Sequence, residues 1–347
     1  MQVSASMPGH NGVYRLAPIA FVHAPTPIKP KLKDGDDAWT QYRTAARKAR
    51  ISVCGAQQMI QLRESLDQDP GGLPRMLLLA FDGGYTNSTV LKKIPPRTVC
   101  IGRIRKDAKL CFVPDPTLRK DKGRILRYGA QAPSPEQLRT DDSQSWQTMT
   151  FAHSGGSHPL RFKRLQQVMW RTAGAHQILQ LIVIAPLAYR LRKGSKLLYR
   201  QPAFLICTDP AMPVAEIIEA YFQRWDIEVN FRDEKTLLGV GQAQVRSEAS
   251  VETTPAFAVA AYAMLLVSAE RAFANCSDGL LPQPKWAAGS KGPRISTQQL
   301  IHQLRAEVWG RGLGVERFSG FASNLSLQTK PEKFNFNLAS AVCYANG

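Results

Sequence analysis

The chain has 347 residues, 44% of them hydrophobic and 21% charged, with 25 Gly and 23 Pro; collagen-like, low-complexity and coiled-coil readings are excluded, and the length suits about two domains. Charge is what deviates: 45 Lys and Arg against 27 Asp and Glu give a formal net charge of +18, a balance that favours a polyanionic partner such as nucleic acid or an anionic membrane surface. The apolar runs Ile178 to Leu187 and Ala256 to Ser268 fall short of the ~20 residues that span a bilayer. The opening MQVSASMPGHNG has neither a basic nor an apolar leader region, so a soluble, non-secreted chain is expected.

In chain order, Tyr14 to His23 reads as an extended segment and Pro25 to Asp37 as a loop, followed by a helical pattern from Ala38 to about Leu66. Arg75 to Phe81 is a short continuous apolar run, the mark of a strand buried on both faces, with Asp82 at its exit and Gly83-Gly84 as the turn. Asn87 to Lys93 suits a short helix, and Thr98 to Ile104 returns as a buried strand. Between Asp107 and Gln166 the pattern is irregular and rich in Pro, Gly and Ser, and reads as an insertion outside the core. Gln177 to Tyr189 and Leu197 to Cys207 read as strands joined by a hairpin turn at Arg192 to Ser195. Thr208-Asp209-Pro210 stops the second, and Pro213 with Glu216 opens a long amphipathic helix to about Leu238, ended by Gly239 and Gly241. A second, nearly all-apolar helix from about Thr254 to Asn275 is expected to be a buried packing element. A helical stretch from Ser296 to Trp309 precedes a Gly/Ser/Asn-rich tail. The six cysteines (54, 100, 111, 207, 276 and 343) are far apart with no Cys-x-x-Cys pair, and several, inside apolar strand-like runs, read as small buried hydrophobes.

The positive charge is concentrated. Residues 97–130 carry ten Lys or Arg and three Asp, and residues 161–200 carry nine Lys or Arg and no acid. Either run alone is most simply a solvated face; together they suggest a shared footprint for phosphates. On the helix YFQRWDIEVNFRDEK, at about 100° per residue, Tyr221, Arg224, Glu228 and Lys235 project within an arc of about 60°, with Arg232 beside them. Asp226, Asp233 and Glu234 point elsewhere, so Glu228 is the acid embedded among cations. A single Arg–Glu pair at i,i+4 would need no explanation beyond helix stability; four ordered positions ask for more.

The spacing Tyr221-x2-Arg224-x3-Glu228-x6-Lys235 resembles the Y-x2-R-x3-E-x6-K signature of DDE transposases of the IS4-like superfamily. Phe81-Asp82-Gly83-Gly84-Tyr85-Thr86-Asn87, with Arg103-Ile104-Arg105-Lys106-Asp107 downstream, is similar to the second-aspartate region of its IS701-like members. The resemblance runs from about residue 10 to 275. It implies an insertion-sequence transposase with an RNase H-like α/β fold, a mixed sheet with flanking helices, here incomplete at the N-terminus and carrying an irregular, partly β insertion before the Glu-bearing helix. It implies two Mg²⁺ or Mn²⁺ ions held by carboxylates for DNA cleavage and strand transfer, with Asp82 and Glu228 as catalytic and metal-ligating residues. Tyr221, Arg224 and Lys235 would contact DNA phosphates. Arg232, Arg103, Arg105 and Lys106, and Lys163 and Arg164 of the second basic segment, are the further cations expected on DNA. The implied partners are double-stranded DNA and a second copy of the chain on paired ends, in a bacterial, cytoplasmic, nucleoid-associated setting.

The chain departs from that pattern upstream. The first Asp of the family precedes the second-Asp strand by several elements, whereas the only acids before the helical pattern at Ala38, namely Asp34, Asp36 and Asp37, follow the extended segment in a loop. The expectation is therefore a core lacking its first catalytic Asp and first two strands, divided into residues 1–106 (second-Asp strand), 107–176 (basic insertion), 177–275 (strands, Glu-bearing helix and packing helix) and 276–347 (helical extension and tail). Such a chain should not carry out strand transfer alone, and the alternative is an inert DNA-binding remnant that acts as inhibitor or bystander. His153-Ser-Gly-Gly-Ser-His158 reads as a surface loop and Asp209 as a turn and helix-start residue. Trp225 and Phe231 read as core anchors, and no phosphate-binding Gly-rich loop supports a nucleotide cofactor.

Overall fold

The structure is a computed structural model that describes residues 1–8, 14–24, 27–115, 126–153, 156–174, 176–192, 194–273 and 295–312. The elements in order are β1 (Gln2–Pro8), β2 (Tyr14–Phe21), α1 (Gly35–Lys48), α2 (Ile51–Gln68), β3 (Leu77–Phe81), α3 (Ser88–Leu91), β4 (Thr98–Arg103), β5 (Cys111–Phe112) and α4 (Pro135–Thr140). They continue with β6 (Gln147–His153), β7 (Gly156–Met169), β8 (Leu179–Ile184), β9 (Ala188–Tyr189), β10 (Leu198–Tyr199), β11 (Ala203–Cys207), α5 (Val214–Gln223), α6 (Asp226–Leu237), α7 (Glu248–Phe273) and α8 (Thr297–Gly312). They form two compact units. The first holds Met1 and Val22–Trp225; the second holds Gln2–Phe21 and the described residues from Asp226 onward.

The first unit is built on a mixed seven-stranded sheet with the order β3-β4-β11-β8-β7-β5 and β6 paired to β7. β3 and β4 are parallel, with Phe81 opposite Gly102, and the remaining pairs are antiparallel. The apolar runs at residues 98–104, 179–184 and 203–207 are continuous because both faces of these strands are covered. Alternation sorts them: Leu181, Val183, Phe204 and Ile206 pack on one face with Leu91, Leu110 and Leu138, while Val99, Ile101, Ile182, Ile184, Leu205 and Cys207 meet Ile217 and Ile218 of α5 on the other. α2 covers the β3–β4 end through Ala56 and Met59 against Cys100, Leu79 and Phe81.

Four expectations change here. The helical pattern of residues 38–66 is two helices, broken at Ala49-Arg50. β3 is an edge strand, with Leu78 40% exposed, and is not buried on both faces; a run of five apolar residues does not tell a central strand from an edge strand covered on one side. The segment between Asp107 and Gln166 is not outside the core: β7 lies within the sheet, and Leu110, Leu138, Leu160 and Phe162 are buried. The loops joining these short elements carry the Pro, Gly and Ser that hid them. Finally, the long helix of residues 213–238 is interrupted between α5 and α6, where the Trp225 amide donates to the Phe222 carbonyl at 3.1 Å in a tighter, i→i+3 turn.

In the second unit β1 and β2 pair antiparallel as a sheet of their own, so the extended segment at Tyr14 is not part of the seven-stranded sheet. Ala17 of β2 packs with Tyr262, Leu266 and Leu300 of α7 and α8. The amide of Asn230 on α6 donates to the Leu16 carbonyl at 3.0 Å and receives the Tyr262 hydroxyl at 3.2 Å, and Thr297 donates to the buried Asp233 carboxylate at 2.6 Å. α7 buries Val259, Tyr262 and Leu266 but leaves Phe257 76% and Met264 70% exposed, so within this unit it is a half-covered element and not a fully buried one. At 26 residues it is longer than the apolar run at its centre. An 18-residue window with mean hydropathy 1.4 makes it the one helix among the described residues with the length and composition of a membrane span. The expected tail, Cys276 and Cys343 lie outside the described residues.

Candidate functional site

The parallel pairing of β3 and β4 brings the two motif segments of the first unit to one sheet edge. β3 ends at Phe81, and the chain turns at once: the Tyr85 amide donates to the Asp82 carbonyl at 3.0 Å and the Thr86 amide to the Gly83 carbonyl at 3.2 Å. Asp82 heads this turn exposed on the surface, and among the described residues no hydrogen bond or ion pair holds its carboxylate. The register of Phe81 with Gly102 sets the turn against the end of β4, where Arg103 is exposed. Behind the turn Asn87 caps α3, its side chain accepting from the Thr89 amide at 3.0 Å.

Two glycines make this packing possible. A Cβ on Gly102 would lie 2.2 Å from the Thr86 hydroxyl oxygen, and one on Gly55 of α2 would lie 2.8 Å from the Tyr85 ring. Burial pushes the Tyr85 phenol above its ordinary value, with the charges of Cys54 and Asp82 adding to it. Asp82 thus stands on a turn wedged between β4 and α2.

Further along, Arg105 and Asp107 pair at 2.9 Å in full solvent, and Lys106 is exposed. The second basic segment is different. Lys163 is 2% exposed, and its ammonium donates to the carbonyls of Leu138, Arg139 and Asp141 at 3.1, 3.3 and 2.6 Å while lying over the Trp146 ring. It satisfies the orphan carbonyls that end α4. Arg164 donates to the Gln180 side chain at 2.8 Å and reaches the Pro210 carbonyl. Both cations are committed inside the first unit, against the expectation that they face DNA.

Tyr221 is half-buried at the end of α5, with the Arg224 guanidinium 5.4 Å from its ring centre. Glu228 and Lys235 are exposed on α6, in the second unit, and Arg232 pairs with the buried Asp233 at 2.8 Å. The 60° arc computed across one continuous helix therefore does not apply: Tyr221 and Arg224 belong to one unit, Glu228, Arg232 and Lys235 to the other, as do Asp82 and Glu228 respectively. Trp225 and Phe231, read as core anchors, are about half exposed. Asp209 does make a turn, accepting from the Ala211 amide at 2.8 Å. His158 lies in the β6–β7 hairpin with its ring 5.6 Å from that of Phe151, and residues 154–155 lie outside the described residues.

What sequence reading missed is Glu234. It is buried beside Asp233, and one carboxylate oxygen has no hydrogen-bond partner. Burial pushes its carboxyl up to about 7, Gln2 opposing this by hydrogen bonding and the Asp233 charge adding to it. No pattern marked it, because its environment comes from β1, more than two hundred residues away.

Hard divalent cations want several well-placed carboxylate oxygens. Asp82 offers the right chemistry, but among the described residues no group of three or more His, Cys, Asp or Glu side chains could hold a metal ion. The donors present do not complete a two-ion centre, and no catalytic step is derived through one. Cys54, Cys100, Cys111 and Cys207 are free thiols. Comparison of the chain with protein-family models and with curated proteins gives no match.

Proposed function

We propose that the chain is a DNA-binding portion of a DDE transposase of the IS4-like superfamily, with an RNase H-like arrangement in its first unit, that engages duplex DNA without cutting it unaided. The observation that carries this reading is the carboxyl edge of the parallel β3–β4 pair, where Asp82 and Arg103 stand side by side, unburied, on a turn held by close packing. A carboxylate at the carboxyl end of a strand beside exposed cations suits a metal-assisted phosphoryl-transfer centre. The open edge of β3 accords with a sheet that would take a further strand there. Asp82 would be one ligand for Mg²⁺ or Mn²⁺, and Arg103, Arg105 and Lys106 would hold phosphates.

The test is a duplex-binding titration at rising salt with purified chain, run beside a nicking assay in Mg²⁺ or Mn²⁺. Binding that weakens steeply with salt and leaves the strands intact is expected. Absence of binding at 50 mM salt would remove the proposal. Metal-dependent nicking abolished by Asp82→Ala would replace it with an active nuclease or transposase.

A further inference from the structure

The segment between β8 and β11 is a hairpin whose two short strands, β9 and β10, pair Tyr189 with Leu198 and Ala188 with Tyr199, extended by the Arg200 amide donating to the Leu187 carbonyl at 2.8 Å. Its turn is well made: Gly194 has φ +81°, the Ser195 amide donates to the Arg192 carbonyl at 3.0 Å, and the Arg190 guanidinium reaches the Ser195 carbonyl. From residue 186 to 202 there is no acid. Arg190, Arg192, Lys196 and Arg200 are all exposed, and none forms an ion pair among the described residues. Tyr199 is 63% exposed, and the Arg200 guanidinium covers the Tyr189 ring at 5.2 Å.

The topology places this hairpin. β8 pairs with β11 and β11 with β4, both antiparallel, with Ala203 opposite Ile184 and Leu205 opposite Arg103. The end of β8 and the start of β11, from which the hairpin springs, therefore lie at the same sheet edge as Arg103 and Asp82. With neighbouring strands about 4.8 Å apart, its root is on the order of 10–15 Å from Asp82 along that edge. At about 3.3 Å per residue, about six residues on each side give such a ribbon a reach of roughly 20 Å. A two-stranded ribbon fits a B-DNA major groove about 12 Å wide, whose walls carry one phosphate charge per about 1.7 Å of axis.

We propose that the β9–β10 hairpin is a duplex-DNA-gripping ribbon that enters a groove and holds phosphates through Arg192, Lys196 and Arg200, leading the DNA across the edge that bears Asp82. This rests on the function proposed above and assigns its grip to an element other than Lys163 and Arg164.

The test is fluorescence anisotropy of a labelled 30-base-pair duplex with the full chain between 50 and 200 mM salt. It compares Arg192→Gln/Lys196→Gln/Arg200→Gln with a charge-matched control, Lys29→Gln/Lys31→Gln/Lys33→Gln, on an exposed loop of the same unit. Each lost phosphate contact lowers the log–log salt slope by about 0.9, so the hairpin variant should lose about 2.7. The wild-type advantage should then shrink roughly 40-fold over that fourfold salt range. The control should change the slope by less than about 1, and thermal midpoints should agree. Wild-type binding with an unchanged slope in the hairpin variant overturns the ribbon and leaves the wider function standing. Failure of the wild type to bind overturns both. Loss confined to phosphatidylserine vesicles, with duplex binding intact, overturns the choice of partner.

Discussion

Gly102→Ala tests whether the Asp82 turn is held by close packing. A Cβ there would lie 2.2, 2.9 and 3.1 Å from the Oγ1, Cγ2 and Cβ of Thr86, which is itself buried, and β4 cannot yield because strands pair with it on both sides. Overpacking of this kind costs about 1–3 kcal/mol, and removing a glycine from a strand returns about 0.5–1, so the net loss should be about 1–2 kcal/mol. Thr86→Ala removes a long hydrogen bond, 3.4 Å to the Asp82 carbonyl, and a buried methyl, for about 1 kcal/mol. Because Thr86→Ala also deletes two of the three clashing atoms, the double variant should be no worse than Thr86→Ala alone, a coupling of about 1–2 kcal/mol. Urea unfolding followed by circular dichroism measures all four proteins. If the two costs simply add to within about 0.5 kcal/mol, the sites are independent and the wedge of Thr86 over Gly102 is not what seats the turn.

Three further outcomes follow from buried polar groups. Lys163→Met should destabilise the chain by about 3 kcal/mol, since it strips three carbonyls of their donor, while the salt slope of DNA binding in the surviving folded protein stays as in wild type. For Glu234, whose carboxyl is raised to about 7 from an ordinary 4.5, the folded state holds its proton more tightly. Its favourable contribution is complete below about pH 4.5 and is lost as pH rises through 7. Glu234→Gln should therefore match wild type at pH 4.5 and exceed it by roughly 3 kcal/mol at pH 8 in chemical denaturation; equal stability at both would refute the assignment. Cys100 and Cys207 are buried, which pushes the Cys207 thiol up to about 11 and the Cys100 thiol higher still, so a maleimide at pH 8 should leave both unlabelled in the native protein by peptide mapping.

The strands were legible where chemistry is local. Residues 98–104 and 203–207 announce themselves because both their faces are apolar, and Asp82 announces itself because a Gly-Gly pair follows the apolar run that ends there. Residues 107–166 were not, since β7 carries Lys163 and Arg164 among its apolar residues, and these long side chains find partners only in the folded sheet. A charge count sees these cations as surface; the carbonyls of α4 and the Gln180 side chain are invisible to it. The break before Asp226 also escaped, because no Pro or Gly marks it and helical periodicity runs through Arg224-Trp225 without a fault. For the site, this meant that residue identities could be read but a shared helix face could not.

The second unit takes its first strands from the beginning of the chain and its helices from after Trp225. Asn230 reaches back 214 residues to Leu16, and Arg15 reaches forward 282 residues to Thr297. At a synthesis rate of roughly 5–20 residues per second, the leading hairpin waits on the order of ten to sixty seconds for its companions to leave the ribosome. Throughout that interval Ala17 lacks Tyr262, Leu266 and Leu300 to lie against, and the intervening sheet can finish folding first. Removing the first two dozen residues would take β1 and β2 from this unit, and an affinity tag joined directly to Met1 sits one residue from a strand that must still find its place.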